Sequence, residues 1–80
     1  MKSNFTTEYE AFRSLIIKAR KEGNLTQDGL AKLLNKPQSY VAKYENGERR
    51  LDVIEFLLIA KALNADPIEI IKELTSLEDK

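Results

Sequence analysis

Residues 25–47 start and stop two short helical patterns in one stretch, and that punctuation constrains the fold more than any other feature of the chain. Thr26 is a natural N-cap, because its hydroxyl can accept from an orphan N–H of a first helical turn. Asp28 follows where the helix dipole favours an anion. Leu30, Ala31, Leu33 and Leu34 supply apolar positions. Asn35-Lys36-Pro37 ends the segment. Asn35 tolerates a left-handed backbone, and Pro37 suits the first turn of a new helix but not a helix interior. A second helix is predicted from Pro37 to about Tyr44 or Glu45, anchored by Val41 and Tyr44, with Tyr40 more exposed. Asn46-Gly47 breaks it. Across so tight a break the two helices must approach closely, and Ala31 is small enough to allow it.

The same signals divide the rest of the 80 residues. A first helix is predicted from about Thr7 to Glu22, with Phe12, Leu15, Ile16 and Ala19 on one face. Thr7 and Glu10 have the spacing of a capping box, and Gly23-Asn24 stops the helix. A fourth helix starts after Asp52 as N-cap, with Val53, Phe56, Leu57, Ala60 and Leu63 read as its core face. A fifth starts at Asp66-Pro67, a cap followed by Pro at the first helical position, and runs through Ile70, Ile71, Leu74 and Leu77. No window shows strand alternation between turn signals. The reading is therefore an all-α, five-helix compact bundle forming a single domain over residues 1–80.

Composition removes several kinds of chemistry. The chain has no cysteine and no histidine. Disulfides and thiolate metal sites are excluded, and so are the commonest general base and zinc ligand. With no metal-ligand cluster and no Gly-rich phosphate loop, no enzyme and no cofactor is expected. No basic start leads into an apolar run, and no stretch approaches the about 20 apolar residues of a membrane helix. A soluble, cytoplasmic protein is expected. Net charge is zero, but its distribution is not even. Residues 1–51 hold ten Lys/Arg against six Asp/Glu, and residues 52–80 hold three against seven. A phosphate-facing part and a differently employed acidic part would produce this division.

The spacing across residues 26–46 is that of a helix-turn-helix, whose second helix lies in the major groove of DNA. The run Leu25-Thr26-Gln27-Asp28-Gly29-Leu30-Ala31 resembles the second-helix opening of the Cro and phage-repressor (XRE-type) family of regulators. Pro37-Gln38-Ser39-Tyr40-Val41-Ala42-Lys43-Tyr44-Glu45-Asn46-Gly47 resembles that family's recognition helix and its closing Glu-Asn-Gly turn, and Glu48-Arg49-Arg50-Leu51-Asp52 resembles members with two arginines after the turn. The resemblance covers roughly Leu15 to Ile71 and implies a lambda-repressor-like bundle. Three departures stand out. Asn35 replaces the usual Gly, Pro37 replaces a Ser or Thr cap, and Gly29 sits inside helix two, where it costs up to about 1 kcal/mol against Ala.

Within that motif, Gln38, Ser39 and Lys43 are the expected base contacts. Gln can pair bidentately with adenine, and Lys can donate to guanine O6 or N7. The resemblance implies phosphate contacts by Gln27, which can also brace the recognition helix, and by Asn46, Arg49 and Arg50. The Tyr40 hydroxyl is a further phosphate candidate. For Arg49 and Arg50 the competing reading is an ion pair with Glu48 or Asp52. The resemblance also implies a structural ion pair between Arg20 and Glu45. A homodimer on double-stranded DNA is expected, because readers of this kind bind paired half-sites. Ile54, Leu58, Ile68 and Leu77 are apolar beyond the core faces and mark an interface within residues 52–77, unless Phe5 and Tyr9 cover them. Since no sensor domain fits, regulation would act through concentration, a partner or proteolysis. The function expected is transcriptional repression at a palindromic operator. The alternative is an antitoxin-like interaction module on the same fold, with a toxin as its partner.

Overall fold

Four of the five helices end the same way. In the computed structural model, which describes the backbone of residues 7–78 and the side chains of residues 7–76, the helices are α1 (Thr7–Glu22), α2 (Gln27–Leu34), α3 (Gln38–Glu45), α4 (Val53–Leu63) and α5 (Pro67–Glu78). α1, α2 and α4 each run into an asparagine in the left-handed region: Asn24 at φ 61°, Asn35 at φ 62° and Asn64 at φ 58°. α3 runs into Gly47 at φ 83°. The N–H of the next residue then reaches back to the helix: Lys36 to the Ala31 carbonyl at 2.9 Å, Ala65 to Ala60 at 2.9 Å, Glu48 to Lys43 at 2.9 Å. This Schellman closure satisfies carbonyls the helix would otherwise orphan.

The starts are capped by short polar side chains. Thr26 accepts from the Gly29 N–H at 2.9 Å. Asp52 accepts from Glu55 at 2.8 Å while the Glu55 carboxylate accepts from the Asp52 N–H at 2.9 Å, a full capping box. Asp66 accepts from the Ile68 N–H at 2.9 Å. Pro37 caps α3 with extended backbone (φ −70°, ψ 156°) and no side-chain acceptor. Thr7 is itself the first helical residue, so the expected Thr7–Glu10 box does not form there.

The core is one cluster of Ile16, Leu30, Ala31, Val41, Tyr44, Phe56, Ile59, Leu63 and Ile70, flanked by Phe12, Leu15, Ala19, Leu25 and Leu34. Phe12 meets Phe56 edge-on at 5.2 Å between ring centres. The sequence reading of α4 is corrected here. Its buried stripe is Phe56, Ile59, Ala60 and Leu63, while Val53 is 68% exposed and Leu57 lies outside the core. Leu33, 61% exposed, and Ile71 also face out rather than in. α4 is apolar on both faces, so periodicity alone cannot say which stripe is inside. Among the described residues all regular structure is helical, and no helix is long and apolar enough to cross a membrane.

Candidate nucleic-acid interface

At 100° per residue, Gln38, Ala42, Ser39 and Lys43 fall in that order across one face of α3. Gln38, Ser39 and Lys43 are exposed and Ala42 is half-buried. The opposite side carries Val41 and Tyr44, both buried, and Glu45, also buried, lies at the Gln38 edge of the face. α3 is therefore seated by its back and presents a short polar face with one methyl group in it. Such a face can donate to and accept from base edges and touch a thymine methyl. Ala42 was missed in the sequence because its small side chain carries no polar signal.

The seat of α3 is ionic. Arg20, from α1, donates through Nε to Glu45 Oε2 at 2.7 Å and through Nη2 to Glu45 Oε1 at 3.1 Å. Its Nη1 donates to the Leu25 carbonyl at 2.8 Å. Both partners are buried. The hydrogen bonds that Arg20 donates to Glu45 hold its pKa above the ordinary arginine value, against the opposing effect of burial. Removing either partner leaves the other charge buried, at a cost of about 3–5 kcal/mol. Arg13, one face-repeat earlier on α1, donates Nη1 to the Glu45 backbone carbonyl, at the end of α3 where the helix dipole favours a cation. Arg13 could be found only as a second arginine seven positions before Arg20, on the same face of α1.

Gln27 links this buried pair to the surface. Its Nε2 donates to Glu45 Oε1 at 2.9 Å, and its Oε1 accepts from Gln38 Nε2 at 2.7 Å. Arg20, Glu45, Gln27 and Gln38 thus form one chain from core to exposed face. The Gln27 hydrogen bond favours one orientation of the exposed Gln38 amide. Gly29, beside Gln27 in α2, has a local reason. A Cβ there would meet Thr26 Oγ1 at 3.2 Å and Leu25 Cδ2 at 3.4 Å.

A second group lies where α3 meets the α3–α4 connection. Tyr40 is half-buried, with the Lys36 Nζ 5.2 Å and the Arg49 guanidinium 5.0 Å from its ring centre. Burial, with Glu55 beside it, raises the Tyr40 pKa. Arg49 does not pair with Glu48 or Asp52. It forks onto Glu55, Nη1 to Oε1 at 3.1 Å and Nη2 to Oε2 at 2.6 Å, and that hydrogen bonding lowers the Glu55 pKa below the usual carboxylate value. Arg50 stacks on Tyr9, 4.4 Å from the ring centre. The Tyr9 hydroxyl accepts from the Leu51 N–H at 3.2 Å, which ties the connection to α1. Asn46 and Arg50 are exposed, and Gln27, Tyr40 and Arg49 are intermediate. Ile54, Leu58 and Ile68 are exposed on α4 and α5. Leu77 falls in α5, but its side chain lies outside the described residues, as does Phe5.

Comparison with known proteins places the chain among helix-turn-helix proteins. A family profile described as helix-turn-helix matches residues 16–70. Among solved structures, an XRE-family like protein from Pseudomonas syringae pv. tomato str. DC3000 is 41% identical in sequence, with a TM-score of 0.84, covering 88% of this chain and 85% of that one. No curated protein matches the chain.

Proposed function

The chain belongs to the XRE family of helix-turn-helix proteins and is a DNA-binding regulator; from that premise we propose that it represses transcription in the cytoplasm as a homodimer on a palindromic operator. The observation that carries the reading is the outward face of α3, with Gln38 fixed by Gln27 and backed by the buried Arg20–Glu45 pair. Gln38, Ser39 and Lys43 read base edges in the major groove. Gln27, Tyr40, Asn46, Arg49 and Arg50 flank that face and contact phosphates, which set register without carrying sequence. The dimer forms through the outward apolar side of α4 and α5, Ile54, Leu58, Ile68 and Leu77, to which the structure adds Val53, Leu57 and Ile71 as exposed neighbours.

The test is selection from a randomised duplex library at several salt concentrations. The expected result is a palindromic site whose half-sites are about one helical turn apart, bound with a steep salt slope. Weak binding with no sequence preference would overturn the operator reading and favour the antitoxin-like module, with the exposed apolar residues of α4 and α5 serving a protein partner.

A further inference from the structure

Arg49, one of the proposed phosphate contacts, already has an anion in Glu55. Its guanidinium stacks on Tyr40 in the body of α3, and three hydrogen bonds hold it: to both oxygens of Glu55 and, through Nη1, to the Arg50 carbonyl at 2.9 Å. The pair is not sealed from water. The Arg49 side chain is 40% exposed and that of Glu55 24%. A phosphate reaching this end of α3 meets a guanidinium whose forked donors point at a carboxylate, and phosphate accepts from the same fork. Glu55 has a second duty that holds it in place, since its Oε1 accepts from the Asp52 N–H in the capping box of α4. It is therefore anchored on the scaffold and does not swing away with Arg49.

We propose that Glu55 is an internal competitor for the DNA backbone: it holds Arg49 in the free protein and so limits how tightly this chain binds DNA. The inference rests on the operator reading above and assigns a residue that acts against binding rather than for it. The physical consequence is specific. Phosphate contacts raise affinity for every sequence alike, so weakening one of them lowers non-specific binding and leaves base readout to carry a larger share of operator recognition.

The substitution that isolates this effect is Glu55→Gln. Gln keeps an oxygen acceptor for the Asp52 N–H, because either Glu or Gln closes a capping box, while the charge that binds Arg49 is lost. The probe is a mixed-sequence DNA duplex about three helical turns long, titrated with the full chain at low and moderate salt. Glu55→Gln is expected to bind it roughly threefold more tightly per bound protomer, the scale of an exposed charge pair. In an Arg49→Ala background the gain should disappear, since the competition has no object. Glu48→Gln, which removes a neighbouring carboxylate that Arg49 does not use, serves as the charge control and should give a smaller gain. Equal binding by wild type and Glu55→Gln would overturn the inference. So would a gain that survives Arg49→Ala, or one matched by Glu48→Gln, for each would make Glu55 a general negative charge. A wild-type chain that holds neither this duplex nor any duplex selected from the randomised library would instead sink the operator reading, and this inference with it. Thermal melts of each variant separate a binding change from a loss of fold.

Discussion

Tyr44 is 1% exposed, sits at the centre of the core, and has a hydroxyl with no hydrogen-bond partner among the described residues. An unmade hydrogen bond on a buried polar atom costs about 1–3 kcal/mol. Tyr44→Phe keeps the ring and removes that cost, so unfolding free energy near neutral pH should hold or rise by about 1 kcal/mol. The variant also has a pH signature. Burial, reinforced by the neighbouring Glu45 charge, raises the Tyr44 pKa above the ordinary tyrosine value. The unfolded chain releases the proton near pH about 10 and the folded chain does so only higher. Ionisation of this tyrosine thus leaves stability untouched below that range and lowers it as pH rises through it, because only the unfolded chain gives up the proton. The wild type should lose up to about 1.4 kcal/mol per pH unit more than Tyr44→Phe above that point. Denaturant titrations of both proteins from neutral to alkaline pH check this, and parallel curves would show that the hydroxyl is solvated. Side-chain partners were only partly legible in the sequence at this scale. The Arg20 and Glu45 positions follow from the family resemblance, and their pairing is present in the structure. The tertiary partners of Arg13, Glu55 and Tyr9 are not legible, because they depend on how α1 crosses α3 and where the α3–α4 connection runs.

The turn between α2 and α3 depends on Asn35 at φ 62°, ψ 42°. A left-handed residue costs about 1–2 kcal/mol for most side chains, less for Asn and nothing for Gly. Asn35→Gly should therefore be neutral or stabilising by a few tenths of a kcal/mol, and Asn35→Ala destabilising by about 1 kcal/mol. Chemical denaturation of the two variants decides it, and a destabilised Asn35→Gly would mean the Asn side chain has a contact of its own. Helix boundaries are legible because caps are chemistry: the Thr26, Asp52 and Asp66 starts and the Asn24, Asn35 and Gly47 ends all stand where their residue types demand. Sidedness is not so well encoded. In α4, Val53, Ile54, Leu57 and Leu58 make a stripe as apolar as the buried one. Only the position of α4 against α1, α2 and α5 selects Phe56, Ile59, Ala60 and Leu63 for the core. In α5 two adjacent isoleucines part the same way, Ile70 buried and Ile71 43% exposed.

The molecule is left with two unlike surfaces. One carries the polar face of α3 and the Lys36, Arg49 and Arg50 cations, and belongs to the basic first part of the chain. The other is the outward stripe of α4, with Ile54 65% and Leu58 57% exposed, continued by Ile68 on α5. Leu58 also lines a shallow groove with Leu33 and Leu34 of α2. Exposed apolar residues standing singly need no explanation, but on the homodimer reading this face of α4 is the association surface. In a twofold dimer each residue is used twice, so a charge placed in the stripe counts twice. On the homodimer reading, Leu58→Asp should raise the dimer dissociation constant by about two orders of magnitude. The monomer should melt as before, because Leu58 contributes little to the core. Sedimentation equilibrium gives the first quantity and a thermal melt the second. DNA then separates the two surfaces. Binding to the full palindrome should fall toward that of one half-site, since the two readers are no longer linked, while binding to a duplex carrying one half-site should be unchanged because α3 is untouched. If Leu58→Asp lowers half-site and palindrome binding equally, α4 acts through the fold of the reader. If the wild type is monomeric at concentrations that saturate the palindrome, the stripe serves another partner.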